Sequence, residues 1–176
     1  INDNTTLNFT VADVAAPTLS SSSPADNATG VAVSTNIVLT FNENVVAGSG
    51  NITLKKSSDN STVQAMPVDG GNVTISGNTV TINPTANLDS SEGYYLQIAA
   101  TALDDTSGNS YAGISNGTSL NFTAADIIAP TLSSSSPADN ATGVASNAGI
   151  TLTFSENIQV GTGNITLFKA DNSQVE

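Results

Sequence analysis

One stretch of this chain occurs twice. The run APTLSSSSPADNATGVA beginning at Ala16 returns unchanged at Ala129, and the offset of 113 holds without a gap from Leu7/Leu120 to Leu54/Leu167. About 36 of the 58 residues from Thr6 to Val63 match those from Ser119 to Glu176. A period near 113 is too long for the stacked units of a solenoid and suits one domain per repeat. The register then divides the chain. Residues 1–13 correspond to 114–126 and read as the last strand of a preceding repeat, 14–126 as one complete repeat, and 127–176 as the first half of a following one. The chain is expected to be a window on a longer tandem array. Half a sandwich cannot close a core alone, so the last segment should be poorly supported or completed by a neighbour.

Within the complete repeat the apolar residues alternate. Ile37, Leu39 and Phe41 share one face of a strand, Ile52 and Leu54 another, and Tyr94, Leu96 and Ile98 alternate with Tyr95 and Gln97. Val73/Ile75 and Val80/Ile82 flank Gly77-Asn78, a two-residue hairpin signal. No stretch carries a 3.6-residue period. The pattern predicts an all-β, immunoglobulin-like Greek-key β-sandwich of about seven strands, repeated in tandem. Residues 62–68 and 72–76 are read as one bulged strand, and the loop 88–94 as the approach to a tyrosine corner at Tyr94.

Composition removes most chemistry. The 176 residues include 15 acidic side chains, three lysines, and no arginine, histidine or cysteine. A Ser-His-Asp triad, a thiol nucleophile, a usual zinc site and haem or iron–sulfur ligation are therefore excluded. With a net charge of −12 the chain cannot neutralise phosphates, so no nucleic-acid partner is expected. No apolar run approaches 18 residues, so no membrane insertion is expected. The lack of cysteine leaves the compartment open.

The order of these segments resembles a known family. SPADNATGVAVSTNIVLTFNENV, then NITL, TVTINPTANLDSSEGYYLQI and ALDDTSGNSYAG are similar to the bacterial Ig-like domains of the SbsA (Big_5) type. That pattern's Pro-Ala-Asp turn, Leu-Thr-Phe strand ending in Glu, and Asp-x-x-Gly-Asn loop match residues 24–27, 39–43 and 105–109. The resemblance implies tandem spacer domains, as in giant surface adhesins and S-layer proteins. It implies an extracellular location on a bacterial cell surface. A related sandwich carries periplasmic copper through histidines, which this chain lacks. Met66 as the one soft ligand excludes copper here.

Strand order places the acidic residues. If successive strands alternate direction, the incoming linker meets loops 42–50 and 102–112 at one pole. Asp13, Glu43, Asp104, Asp105 and Asn109 then gather there, while Asp26, Asn27, Asp89 and Glu92 gather at the other, faced by Asp126 and by Glu156 of the next repeat. Two like charges 4 Å apart repel by about 1 kcal/mol in water and about 4 at an effective dielectric of 20. Three lysines cannot offset this, but calcium, which takes six to eight oxygens, can. The expected metal ligands are Asp13, Glu43, Asp104, Asp105, Asn109, Asp126 and Glu156, with calcium as the ion. At the other pole Asp26, Asp89 and Glu92 are expected to serve turns.

Other constellations carry less. Asn-x-Ser/Thr sequons at Asn27, Asn60 and Asn116 follow from Asn/Thr richness. Lys55 with an Asn121-type partner is read as a solvated strand lysine rather than an isopeptide donor. Glu43 with Asp105 could mimic a glycosidase pair, but there is no tryptophan platform and no enzyme is expected. The expected function is a non-catalytic structural extender of a long secreted adhesin or fibre, rigidified by calcium near repeat junctions. Its partners are neighbouring repeats of the same chain. The alternatives are an S-layer or filament block contacting other copies laterally, and a carbohydrate or host-surface binding module.

Overall fold

The structure, a computed structural model, describes residues 9–169 and 171–175. The chain forms two compact units divided after Ile127. The described residues contain no helix. In the first unit the strands are β1 (Leu19–Ser23), β2 (Ala28–Val31), β3 (Ile37–Phe41), β4 (Val45–Ala47), β5 (Asn51–Lys56) and β6 (Thr62–Pro67). They are followed by β7 (Val73–Ser76), β8 (Thr79–Ile82), β9 (Gly93–Ile98), β10 (Leu103–Asp105) and β11 (Asn121–Ala124).

Two sheets form the sandwich, one ordered β1-β3-β8-β7 and the other β2-β11-β9-β5-β6, with β4 and β10 paired as a separate ribbon. The immunoglobulin-like sandwich is as expected, though its strands are broken into more pieces than seven. The predicted hairpin is present: β7 pairs with β8, Ser76 opposite Thr79, and Gly77 takes the left-handed φ of 60° that such a turn needs. Asn78 Nδ2 then donates to the Phe41 carbonyl at 2.9 Å.

The alternation is explained by burial. The side chains of Ile37, Leu39, Phe41, Ile52, Leu54, Val80, Ile82, Leu96 and Phe122 belong to one core between the sheets. Tyr94 stacks near Phe122, centroids 6.0 Å apart, and Phe41 meets Tyr111 edge-on at 5.1 Å. The tyrosine corner is formed, since Tyr94 Oη accepts from the Asp89 amide at 2.8 Å. One expectation fails. Residues 62–68 and 72–76 are not one bulged strand: β6 ends at Pro67, and after the turn β7 belongs to the other sheet. The ladder to β5 runs one residue past Pro67, with Val68 N donating to the Gly50 carbonyl at 3.0 Å, before the turn closed by Gly70 N on the Pro67 carbonyl at 2.9 Å. Both pieces nevertheless run toward the incoming linker, so the loop before β11 still falls at the linker pole.

The second unit repeats the start of the first. β12 (Leu132–Ser136) pairs with β13 (Thr151–Phe154), Leu132 opposite Phe154 and Ser136 opposite Thr151, as β1 pairs with β3 through Leu19–Phe41 and Ser23–Val38. Burial differs sharply. Ile37, Leu39, Ile52 and Leu54 are at most 1% exposed, whereas their copies Ile150, Leu152, Ile165 and Leu167 are 37–93% exposed. Of the terminal strand expected over 1–13, residues 1–8 lie outside the described residues and 9–13 form no strand.

Candidate metal centre

The linker is clamped to the β3–β4 loop before any charge is considered. Thr18 N donates to Asn42 Oδ1 at 2.6 Å and Asn42 N returns the bond to the Thr18 carbonyl at 3.0 Å. Buried Pro17 sits beside this clamp. The second unit repeats it with Thr131 N donating to Ser155 Oγ at 3.0 Å and Ser155 N donating to the Thr131 carbonyl at 2.8 Å. Sequence reasoning overlooked Asn42. Its signal was available, because the repeat offers a short oxygen acceptor at that position both times.

The clamp brings Glu43 toward the linker. β10 ends on Asp105, and the turn after it wraps the carboxylate. Asp105 Oδ1 accepts from Ser107 N at 2.8 Å and Asn109 N at 2.7 Å, and Oδ2 accepts from Asn109 Nδ2 at 2.7 Å. The residue is only 3% exposed, the one buried charged group among the described residues. These bonds, the Asn109 side chain first, hold its carboxyl below the usual carboxylate range. Asn109 Nδ2 also reaches the Asp13 carbonyl at 3.2 Å, and Asp13 Oδ1 accepts from Ala15 N at 3.0 Å.

The outcome is a convergence from three separate elements. One carboxylate oxygen each from Asp13, Glu43 and Asp105 lies within 4.8 Å of the others. That spacing fits a hard cation with ligands at 2.3–2.6 Å. With the amide hydrogens of Asn109 turned to Asp105 and Asp13, its Oδ1 remains as a neutral acceptor. The donor set is entirely oxygen, which suits calcium and does not suit a soft metal.

The other predicted ligands divide. Asp104 does not join the group. Neighbouring residues of a strand face opposite sides, and Asp104 Oδ1 instead accepts from Ser110 Oγ at 2.6 Å. Its Oδ2 lies 2.7 Å from where a Cβ on Gly48 would be, so the glycine makes room for it. Asp126 accepts from Ser90 Oγ at 3.0 Å in the first unit, and Glu156 lies just beyond β13 in the second. At the far pole the carboxylates, expected to serve turns, chiefly bond across the fold instead. Asp26 Oδ1 accepts from Asn121 N and Nδ2, both at 3.0 Å. Asp89 pairs with Lys56 at 2.7 Å, which raises the lysine's pKa. Glu92 accepts from Ser58 Oγ at 3.1 Å and Gly93 N at 3.0 Å. Lys55 lies over the Tyr95 ring, 5.8 Å from its centroid, while Asn121 is engaged by Asp26.

Comparison with known proteins places this architecture. Among solved structures the chain resembles CopC from Methylosinus trichosporium OB3b, with 14% identity and a TM-score of 0.45 over 64% of this chain and 97% of that one. It also resembles the S-layer protein rSbsC (16%, TM-score 0.41, 90% of this chain, 19% of that one) and domains 1–6 of the surface layer protein SbsC (15%, 0.43, 92% and 22%). The chain thus spans about a fifth of those two S-layer chains. No curated protein matches it. The bacterial Ig-like domain family matches twice, over residues 13–124 and again over 126–176. With nearly its whole length covered by those two matches, the chain belongs to the bacterial Ig-like domain family.

Proposed function

We propose that this chain is a non-catalytic spacer of an extracellular bacterial surface fibre, stiffened by calcium where the linker enters the sandwich. One observation carries the reading: the linker, the β3–β4 loop and the end of β10 deliver three carboxylates to one point, Asp13, Glu43 and Asp105. The chain has three lysines, and Lys56 and Lys55 are engaged elsewhere, on Asp89 and over Tyr95. A divalent ion would relieve the repulsion and tie the linker to the body. Asp13, Glu43 and Asp105 would hold it, with the Asn109 amide oxygen as a neutral ligand. The repeat reproduces Asp13 and Glu43 in sequence as Asp126 and Glu156.

The competing readings find less support. A sugar-binding module needs accessible aromatic rings, and on the body of the first sandwich Tyr94, Tyr95, Tyr111, Phe41 and Phe122 are all buried. Lateral assembly through the first sandwich needs an apolar patch. On its body, Val46 and Val63 are the large apolar residues that are exposed. The free edge of β6 is also obstructed, by Pro67 and by Gln64, whose Oε1 accepts from Thr85 N at 2.9 Å.

Thermal melting with calcium and with chelator tests the proposal. Extracellular calcium modules bind at about 10⁻⁴–10⁻³ M, so about 10 mM calcium should stabilise the fold by about 1.4–2.7 kcal/mol. Glu43→Gln should reduce the shift, and Asp104→Asn, whose carboxylate faces away, should not. An identical melting curve in calcium and chelator sinks the proposal.

A further inference from the structure

The Asn-Gly dipeptide occurs once in this chain, at Asn116-Gly117. Asn116 is exposed in the loop between Ile114 and Leu120. Both ends of that loop are fixed to β9. Ile98 and Ile114 exchange backbone bonds of 2.8 and 2.9 Å, and Leu96 N donates to the Leu120 carbonyl at 3.0 Å. Between them Gln97 Nε2 donates to the Ser115 carbonyl at 2.7 Å. Gly117 lies against the Tyr95 ring, where a methyl at its Cβ position would meet three ring atoms at 3.4 Å.

The three groups that a self-reaction of Asn116 needs are all suitably placed. The first is an activated carbonyl. Asn116 Oδ1 accepts from Thr118 N at 2.9 Å, Thr118 Oγ1 at 3.0 Å and Ser119 Oγ at 2.9 Å. Donors converging on one carbonyl oxygen stabilise the negative charge that develops there under attack. The second is the leaving nitrogen, Nδ2, which takes no part in these bonds. The third is the nucleophile: Gly117 N makes no backbone hydrogen bond among the described residues, and glycine puts no side chain in its path. The Asn-Ser dipeptides at 60, 109 and 172 lack this combination. Ser61 N is held by Asp59 Oδ1 at 2.8 Å and Ser173 N by Asp171 Oδ1 at 2.9 Å, so both nucleophiles are occupied. At Asn109 the leaving nitrogen is tied to Asp105 Oδ2 at 2.7 Å.

We infer that Asn116 is a site of spontaneous covalent modification, in which the chain attacks its own side chain and water completes the change. Gly117 N gives its proton to hydroxide and its electron pair forms a bond to Asn116 Cγ. The Cγ–Nδ2 bond breaks, and Nδ2 takes a proton and departs as ammonia, leaving a cyclic imide. Water then opens the ring. Breaking the Cγ–N bond yields aspartate, and breaking the bond from the main-chain carbonyl to N yields isoaspartate. The net exchange is one water in and one ammonia out. Either product adds a negative charge, and isoaspartate also inserts a methylene into a loop whose ends are fixed, which lifts Gly117 from Tyr95. The site shares no residue with Asp13, Glu43 and Asp105 and needs no ion.

Peptide mapping by mass spectrometry tests this, on the full chain held folded in mildly alkaline buffer. The peptide containing Asn116 should exchange NH for O and separate into aspartate and isoaspartate forms, while Asn60, Asn109 and Asn172 stay intact. Gly117→Ala should lose most of the product, because a methyl then obstructs the nucleophile. That methyl makes only an ordinary contact with Tyr95, so tyrosine fluorescence should report an unchanged melting point. Thr118→Val keeps the backbone donor and removes the hydroxyl, and should slow product formation severalfold. An Asn116 that stays intact while another asparagine reacts overturns the inference. So does faster product formation in Thr118→Val, since the bonds to Oδ1 would then protect the amide rather than activate it.

Discussion

Identical side chains in the two halves of this chain should respond oppositely to truncation. Asn51-Ile52-Thr53-Leu54 and Asn164-Ile165-Thr166-Leu167 are the same four residues. Ile52 is wholly buried beneath the five-stranded sheet, while Ile165 is 93% exposed. Ile52→Ala removes core methyls and leaves a cavity, costing about 2–5 kcal/mol. For a domain near 100 residues each kcal/mol lowers the melting temperature by about 4 °C or more, so a drop of at least about 8 °C is expected. Ile165→Ala takes away atoms already in water and should stay within about 0.5 kcal/mol. Calorimetry is the readout, because it follows the melting of both units, and the tyrosines at 94, 95 and 111 identify the transition of the first. A fall for Ile165→Ala as large as that for Ile52→Ala, in any transition, would refute the reasoning, since Ile165 would then be supporting a closed core.

Three further outcomes follow from local geometry. Tyr94→Phe removes the acceptor of the Asp89 amide and should cost about 1–3 kcal/mol in urea unfolding, with an unchanged m-value. Asp105 has a folded pKa depressed chiefly by Asn109. Its contribution is therefore fully present above the unfolded value of about 3.9 and is lost as pH falls through the folded value. Asn109→Ala should shrink that contribution and move the end of its loss to higher pH, read from melting temperatures between about pH 5 and 2. Asp13→Asn should leave the calcium-free melting point unchanged, because Asp13 is an exposed linker residue, and should remove the calcium-dependent change in solution scattering.

Periodicity made the sandwich legible and left its interruptions hidden. Ile37, Leu39 and Phe41 announce a strand because burial on one face repeats every second residue. Nothing in the alternation marks where the chain changes sheets, so 62–76 read as one piece although Asp69-Gly70-Gly71, a turn signal, stood at the break. The three-residue ribbon β4–β10 is too short to show any period, and it decides which of Asp104 and Asp105 faces the linker. Topology alone put both at the right pole; only the pairing of Asp105 opposite Val45 separates them. Asp26 was expected to serve its own turn, but its carboxylate instead accepts from Asn121 N and Nδ2, 95 residues away, which no local pattern reveals.

The linker's two kinds of attachment differ in reach, and this bears on what an ion would add. The Thr18–Asn42 pair is a neutral clamp with bonds of 2.6 and 3.0 Å, so the chain is fixed to the body from Thr18 onward whatever the calcium level. Asp13 lies five residues earlier and is tied by the longer 3.2 Å contact from Asn109 to its carbonyl. A span of five residues reaches roughly 17 Å when extended, so the segment before Thr18 has room to move about Pro17. Moving the attachment from Thr18 back to Asp13 removes that span from the hinge. An ion's mechanical effect would therefore fall on the linker, while the sandwich itself already rests on a closed apolar core. The proposed spacer would need that division of labour: a body held by its apolar core, and a linker whose freedom an ion at Asp13, Glu43 and Asp105 would reduce.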